Sequence, residues 1–231
     1  MIRGIFFDAA GVFYDRQETT RDFALRLLRE RGYAPGDEDG TGRRHERGPA
    51  EREAMRGAVT PEAYWDGFLR RRGMADDGER AEAVQAILAH THKVYALPGG
   101  REALTGLKAR GFTLGVITDT MYPLEWKMGW LASVGVADLF DIVACSTELG
   151  VHKPDPAIYR NALQQAGLPA AEAAFVGHDT RELAGARQVG MATVAVHYDP
   201  DAEADYYADS LLGLLDVPIF QRGGHPQDGR C

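Results

Sequence analysis

The sequence predicts an α/β protein, a Rossmann-like doubly wound parallel sheet with an inserted α-helical cap. Three observations predict it. Five short apolar runs recur: GIFFD (4–8), TLGVIT (113–118), DIVACS (141–146), AAFVGH (173–178) and ATVAVH (192–197). They are β-branched or aromatic and do not alternate strictly, which marks strands buried on both faces of a sheet. Between the later runs lie segments of helical period, and strand–helix–strand repetition implies parallel pairing through right-handed crossovers. Finally, over a hundred residues separate the first run from the second, and that gap is nearly all helical in pattern.

The elements follow in order. GIFFD is the first strand. In the gap, ETTRDFALRLLRERG (18–32) sets Phe23, Leu27 and Leu28 on one stripe. TPEAYWDGFLRRRG (60–73) starts with Thr60 as N-cap and Pro61 at the first helical position, and carries Tyr64, Trp65, Phe68 and Leu69. ERAEAVQAILAHTHKVY (79–95) is the third helical segment, and residues 36–50 read as an irregular polar loop. With LPGG at 97–100, this module reads as a lid over the sheet edge. The expected division is a core of 1–15 and 96–231 and a helical cap of 16–95. Further on, REALTGLKARG (101–111) places Leu104 and Leu107 on one face and stops at Gly111. DPAIYRNALQQAG has Asp155 as N-cap, Pro156 in the first position and Gly167 at its close, and RELAGARQVG (181–190) behaves similarly.

Composition bounds the function. The chain has 231 residues, 45% of them hydrophobic and 26% charged, with a formal net charge of -8. A negative chain offers no global basic surface for nucleic acid. Two cysteines, Cys145 and Cys231, make no disulfide framework, and Cys145 lies in an apolar run as a core residue. No apolar segment approaches the roughly 18 residues of a membrane span, and MIRGIFFD lacks a signal-peptide layout. The chain reads as cytoplasmic, with no membrane partner.

Ligands in open α/β sheets bind beyond the carboxyl ends of the strands. The first run ends at Asp8, the second at Thr118 and the fourth at His178 and Asp179, while Lys153 stands ahead of a helix in VHKPDP. Each alone is an ordinary strand-end cap or turn former. Together, a carboxylate, a hydroxyl, an ammonium and a further acid can hold an anionic group. Asp8 can also attack it, forming an acyl or phosphoryl intermediate. Gly11 and Gly177 suit turns, or a close backbone approach to a ligand.

The stretches FFDAAGV, GVITD, HKPDPAIY and FVGHDTRELAGARQVGM resemble the haloacid dehalogenase superfamily, in the branch with a helical cap after the first motif. The resemblance extends over nearly the whole chain. It implies a five-stranded Rossmann-like core with Asp8 as nucleophile, Thr118 binding the transferring group and Lys153 neutralising it, and with Gly11 and Asp119 beside the substrate. It further implies magnesium held by Asp8, the Ala10 carbonyl, Asp179 and Glu182. Two positions depart from the phosphatase pattern, which has aspartate where Ala10 and His178 stand. The first protonates the leaving alcohol and then activates water; the second is a usual metal ligand. Haloacid dehalogenases have no acid at the Ala10 position and use no metal. They place a carboxylate where Glu182 stands and a tyrosine where Tyr159 stands. Phosphonoacetaldehyde hydrolases have alanine where Ala10 stands but use a cap lysine, for which this cap offers only Lys93.

The cap is rich in arginine. Arg43 and Arg44, with Arg47, are expected to complete a site for an anionic substrate, while Arg70 to Arg72 suit a solvated helix end. The expected function is a phosphatase-like hydrolase of a small anionic, phosphorylated substrate, using Asp8 and Mg2+. The alternatives are a metal-free carbon–halogen hydrolase and a weakened family member that binds without turnover.

Overall fold

The computed structural model describes residues 1–34 and 48–221. Its strands and helices, in chain order, are β1 (Gly4–Phe7), β2 (Tyr14–Asp15), α1 (Thr20–Glu30), α2 (Pro49–Met55), α3 (Pro61–Arg70), α4 (Asp77–His90), β3 (Tyr95–Ala96), α5 (Gly100–Ala109) and β4 (Thr113–Thr118). Then follow α6 (Leu124–Ser133), β5 (Ile142–Cys145), α7 (Ser146–Leu149), α8 (Pro156–Ala166), β6 (Ala173–Gly177), α9 (Thr180–Gln188), β7 (Ala192–Val196) and β8 (Tyr206–Ala208). Short 3-10 turns connect several of them.

Six strands form one parallel sheet in the order β5-β4-β1-β6-β7-β8. All five apolar runs are in it. Because side chains alternate along a strand, the runs feed both faces. Ile5, Phe7, Leu114, Val116, Val176 and Val194 pack on one side with α5, while Phe6, Ile117, Phe175 and Ala195 pack on the other with α8 and α9. The expected five-stranded core gains β8, a three-residue edge strand with one buried residue, too short to carry a readable pattern. No described helix is long and apolar enough to cross a membrane.

Local chemistry explains the helix ends. Thr19, Thr60 and Asp76 accept hydrogen bonds from the backbone N–H three residues on and so start α1, α3 and α4. Asp155 starts α8 by accepting the Ala157 N–H, two residues on, and Gly167 ends that helix in the left-handed conformation at φ 62°. The third helical segment, expected to run to residue 95, stops at His90. Tyr95 and Ala96 instead pair antiparallel with Tyr14 and Asp15, so the chain leaves the sheet and returns to it through one two-stranded neck. The pairing supersedes helical propensity there because both strands of the neck must be extended. The polar stretch 36–50 ends in the start of α2, with Pro49 in its first turn; residues 35–47 lie outside the described region.

Candidate active site

The central position of β1 aims Asp8 at the carboxyl edge of the sheet. Register pairs Phe7 with Val116 on one side and with Val176 on the other. Thr118, ending β4, and His178, just past β6, therefore flank the turn that follows Asp8. The Asp8 N–H donates to the Val176 carbonyl at 2.9 Å, which locks that turn to β6.

Lys153 reaches this point from the loop between α7 and α8. Its Nζ lies 2.5 Å from Asp8 Oδ1 and 2.7 Å from Glu182 Oε2. Asp119 Oδ1 accepts the Lys153 backbone N–H at 3.0 Å and so fixes the lysine's loop. Tyr159, on α8, donates its hydroxyl to the Glu182 carbonyl at 2.8 Å, steadying the first turn of α9. Thr118 is fully buried, with Oγ1 3.5 Å from the Asp119 carbonyl.

The electrostatics follow from this sharing. Burial alone raises the Asp8 carboxyl. Lys153, then His178 and Lys127, outweigh that, so Asp8 is held below the usual carboxylate range and stays ionised. Burial pushes Glu182 up to about 8, and the charges of Asp8 and Asp119 reinforce the shift against the pull of Lys153. Burial would lower the Lys153 ammonium, yet Asp8 and Glu182 raise it well above its ordinary value. One oxygen of an ionised nucleophile is thus clamped and its neighbour acid is easily protonated.

The other oxygen, Asp8 Oδ2, faces His178: Nε2 stands 3.7 Å away, and Nδ1 stands 3.7 Å from Asp199 Oδ2. Gly11 makes room for this imidazole. A Cβ there would meet His178 Nε2 at 2.7 Å, and the residue is left-handed at φ 75°. Its N–H donates to the Tyr14 carbonyl at 2.9 Å, which holds the turn after Asp8 closed. Sequence reasoning left His178 open and missed Asp199 altogether; the polar HYD step after the ATVAV strand was the available signal.

The expected magnesium donors do not converge as these side chains stand. Asp179 is the N-cap of α9: its Oδ1 accepts from the N–H of Arg181 at 2.8 Å and of Glu182 at 3.2 Å, and Oδ2 lies 3.4 Å from the Arg181 guanidinium. Glu182 is turned to Lys153. Among the described residues, no three His, Cys, Asp or Glu side chains gather in cation-binding geometry. The physical reason is that α9 starts directly after position 179, and its unsatisfied amides claim the carboxylate. With histidine in the preceding position, the set of Asp8, the Ala10 carbonyl, Asp179 and Glu182 does not fit a hard divalent ion, which requires converging oxygens. Arg43 and Arg44 lie outside the described residues. Arg70 pairs with Asp66 at 3.1 Å, and Arg72 stacks 3.7 Å over Phe68, as a helix end would.

Comparison with known proteins places this geometry in context. The family model described as haloacid dehalogenase-like hydrolase matches residues 5–196. The chain is 33% identical over 141 residues to the glyceraldehyde 3-phosphate phosphatase of Methanocaldococcus jannaschii, a match covering 57% of this chain and 61% of that protein. It is 30% identical over 206 residues to the phosphoglycolate phosphatase of Rhodospirillum rubrum, covering 86% of this chain and 80% of that one. The crystal structure of 2-haloacid dehalogenase from Pseudomonas syringae pv. Tomato DC3000 superposes with a TM-score of 0.66 and 26% identity, covering 94% of this chain and 97% of that one.

Proposed function

The chain belongs to the haloacid dehalogenase-like hydrolase family, and within it we propose a hydrolase of small phosphate monoesters that works through a covalent intermediate on Asp8. The observation that carries this reading is the ion pair of Asp8 with Lys153 at 2.5 Å, at the carboxyl end of the central strand. The relatives named phosphatases support the substrate class.

In this reading an Asp8 carboxylate oxygen attacks phosphorus, the phosphorus–oxygen bond to the alcohol breaks, and the alcohol leaves with its electron pair. Water then attacks the phosphoryl group, releasing phosphate and restoring Asp8. Lys153 holds the nucleophile ionised and offsets substrate charge. Ala10 has no proton to give the leaving alkoxide, so substrates with good leaving groups react best. No step is assigned to magnesium, because the donor set does not assemble.

One arrangement favours a second reading, hydrolysis of a carbon–halogen bond. Glu182 shares Lys153 with Asp8, and a carboxylate there can take a proton from water attacking an Asp8 ester after halide has left without needing a proton. The deciding experiment is a screen for phosphate and for halide release, with and without magnesium. Phosphate release lost in Asp8→Asn supports the first reading. Halide release that resists chelation replaces it with the second. Specific binding of a phosphorylated metabolite with neither release makes the chain a binding member of the family.

A further inference from the structure

We propose that Lys127 recognises a second anionic group, a carboxylate, on the substrate engaged at Asp8; the proposal rests on the hydrolase reading and deepens it by naming the substrate class.

Lys127 lies on α6 and is 3% exposed. Its Nζ donates to the Tyr14 hydroxyl at 2.8 Å and stands 5.4 Å from the Tyr14 ring centre and 5.7 Å from that of Trp130. An ammonium has three donors and no acceptor. Among the described residues Tyr14 is the one hydrogen-bond acceptor of Lys127, and no carboxylate lies within ion-pair distance. A hydroxyl and two ring faces do not replace the water such a charge gives up on burial. The rest of the fold shows how it treats the same problem. Buried Arg80 sits between Asp66 and Asp77, and buried Lys153 between Asp8 and Glu182. Lys127 alone among these buried cations lacks its anion.

Its position says where that anion comes from. Tyr14 closes the turn after Asp8, since its carbonyl takes the Gly11 N–H. Helix α6 opens from the loop that follows Thr118. Lys127 thus stands between the two strand ends that frame the nucleophile, near enough that its charge helps keep Asp8 ionised, yet outside contact with it. A substrate whose reacting group is at Asp8 would bring a second anion to Lys127. The other cation near these rings, Arg16, lies 4.7 Å over Trp130, but its guanidinium donates to the Thr91 carbonyl at 2.7 and 3.1 Å. One ammonium therefore faces the anion, which matches the single charge of a carboxylate better than the double charge of a second phosphate.

The test measures binding of phosphonoacetate and of methylphosphonate by titration calorimetry, since neither needs turnover. The parent protein should prefer phosphonoacetate by about 10- to 100-fold, the value of one charge-assisted hydrogen bond. Lys127→Met should bring that ratio to within about threefold, and Lys127→Arg should restore part of it. Lys127→Gln serves if the Met variant does not fold. Equal binding of the two phosphonates by the parent, no binding of either, or a preference that survives in Lys127→Met overturns the proposal. A Lys127-dependent preference without any phosphate release keeps the subsite and sinks the phosphatase reading; phosphate release without the preference does the reverse.

Discussion

Lys153 and Lys127 are buried alike, at 2% and 3% exposure, and their surroundings differ completely. Lys153 is enclosed by two carboxylates, Asp8 and Glu182, and its loop is pinned by Asp119. Lys127 touches one hydroxyl and two aromatic faces. The first is a closed ionic unit that stands in the free protein and sets the charge of the nucleophile. The second is an open one, with donors that nothing among the described residues takes. Burial therefore does not identify a lysine's role; its counter-charge does. Removing one member of a closed unit strands the others, whereas removing an open cation relieves a cost.

The largest effect should come from breaking the closed unit at its reactive end. Asp8→Asn keeps the shape but removes the attacking charge, and hydrolysis of any confirmed substrate should fall by about 10⁴-fold or more. Steady-state turnover near the parent's would take Asp8 out of the mechanism.

Stability separates the two lysines directly. Lys153→Met should lower the unfolding free energy by about 3–5 kcal/mol, because Asp8 and Glu182 are left buried without their cation. Lys127→Met should cost no more than about 1 kcal/mol, its hydrogen bond to Tyr14 being offset by the relief of an unpaired charge. Denaturant titration of both variants reads the difference, and equal losses would erase the contrast between the two sites.

Ala10→Asp adds the proton donor that the turn lacks. Turnover of an alkyl phosphate should rise by about 10²-fold, and that of an aryl phosphate, with its better leaving group, by less. A folded variant with no gain on the alkyl substrate argues for the carbon–halogen reading.

The remaining effect is read in pH and concerns Glu182. Its carboxyl rises from 4.5 to about 8 in the folded chain, so between those values the folded state binds more protons than the unfolded one. Stability should then fall as pH rises through that window, and Glu182→Gln should remove this component of the slope. Unfolding measured at pH 5 and at pH 9 in both proteins checks it; an unchanged slope would mean that Glu182 is ionised throughout.

Much of this architecture was legible in the chain. TLGVIT is β4 residue for residue, and Thr60 with Pro61 starts α3 where their chemistry demands. Asp8 and Thr118 were readable because strand ends in an open sheet converge on one edge, and the spacing of apolar runs locates strand ends; Lys153 was readable from the VHKPDP stretch ahead of α8. The neck of β2 and β3 was not legible, because each strand is two residues long and exists only through the other. Asp179 shows the limit at the site itself: one carboxylate suits both a metal and a helix N-terminus, and sequence cannot decide between them.

By itself, then, the sequence determined the parallel sheet, the long helical excursion and the carboxylate at the central strand end. Those depend on hydrophobic periodicity and capping chemistry, which act over a few residues. Only the tertiary structure decided which charges meet. It drew Glu182 onto Lys153 across 29 positions of chain, turned Asp179 into its own helix, set His178 over Gly11, and left Lys127 against Tyr14 across 113. Electrostatic partnership depends on distances of a few ångströms between residues far apart in sequence, and only the packed fold sets those distances.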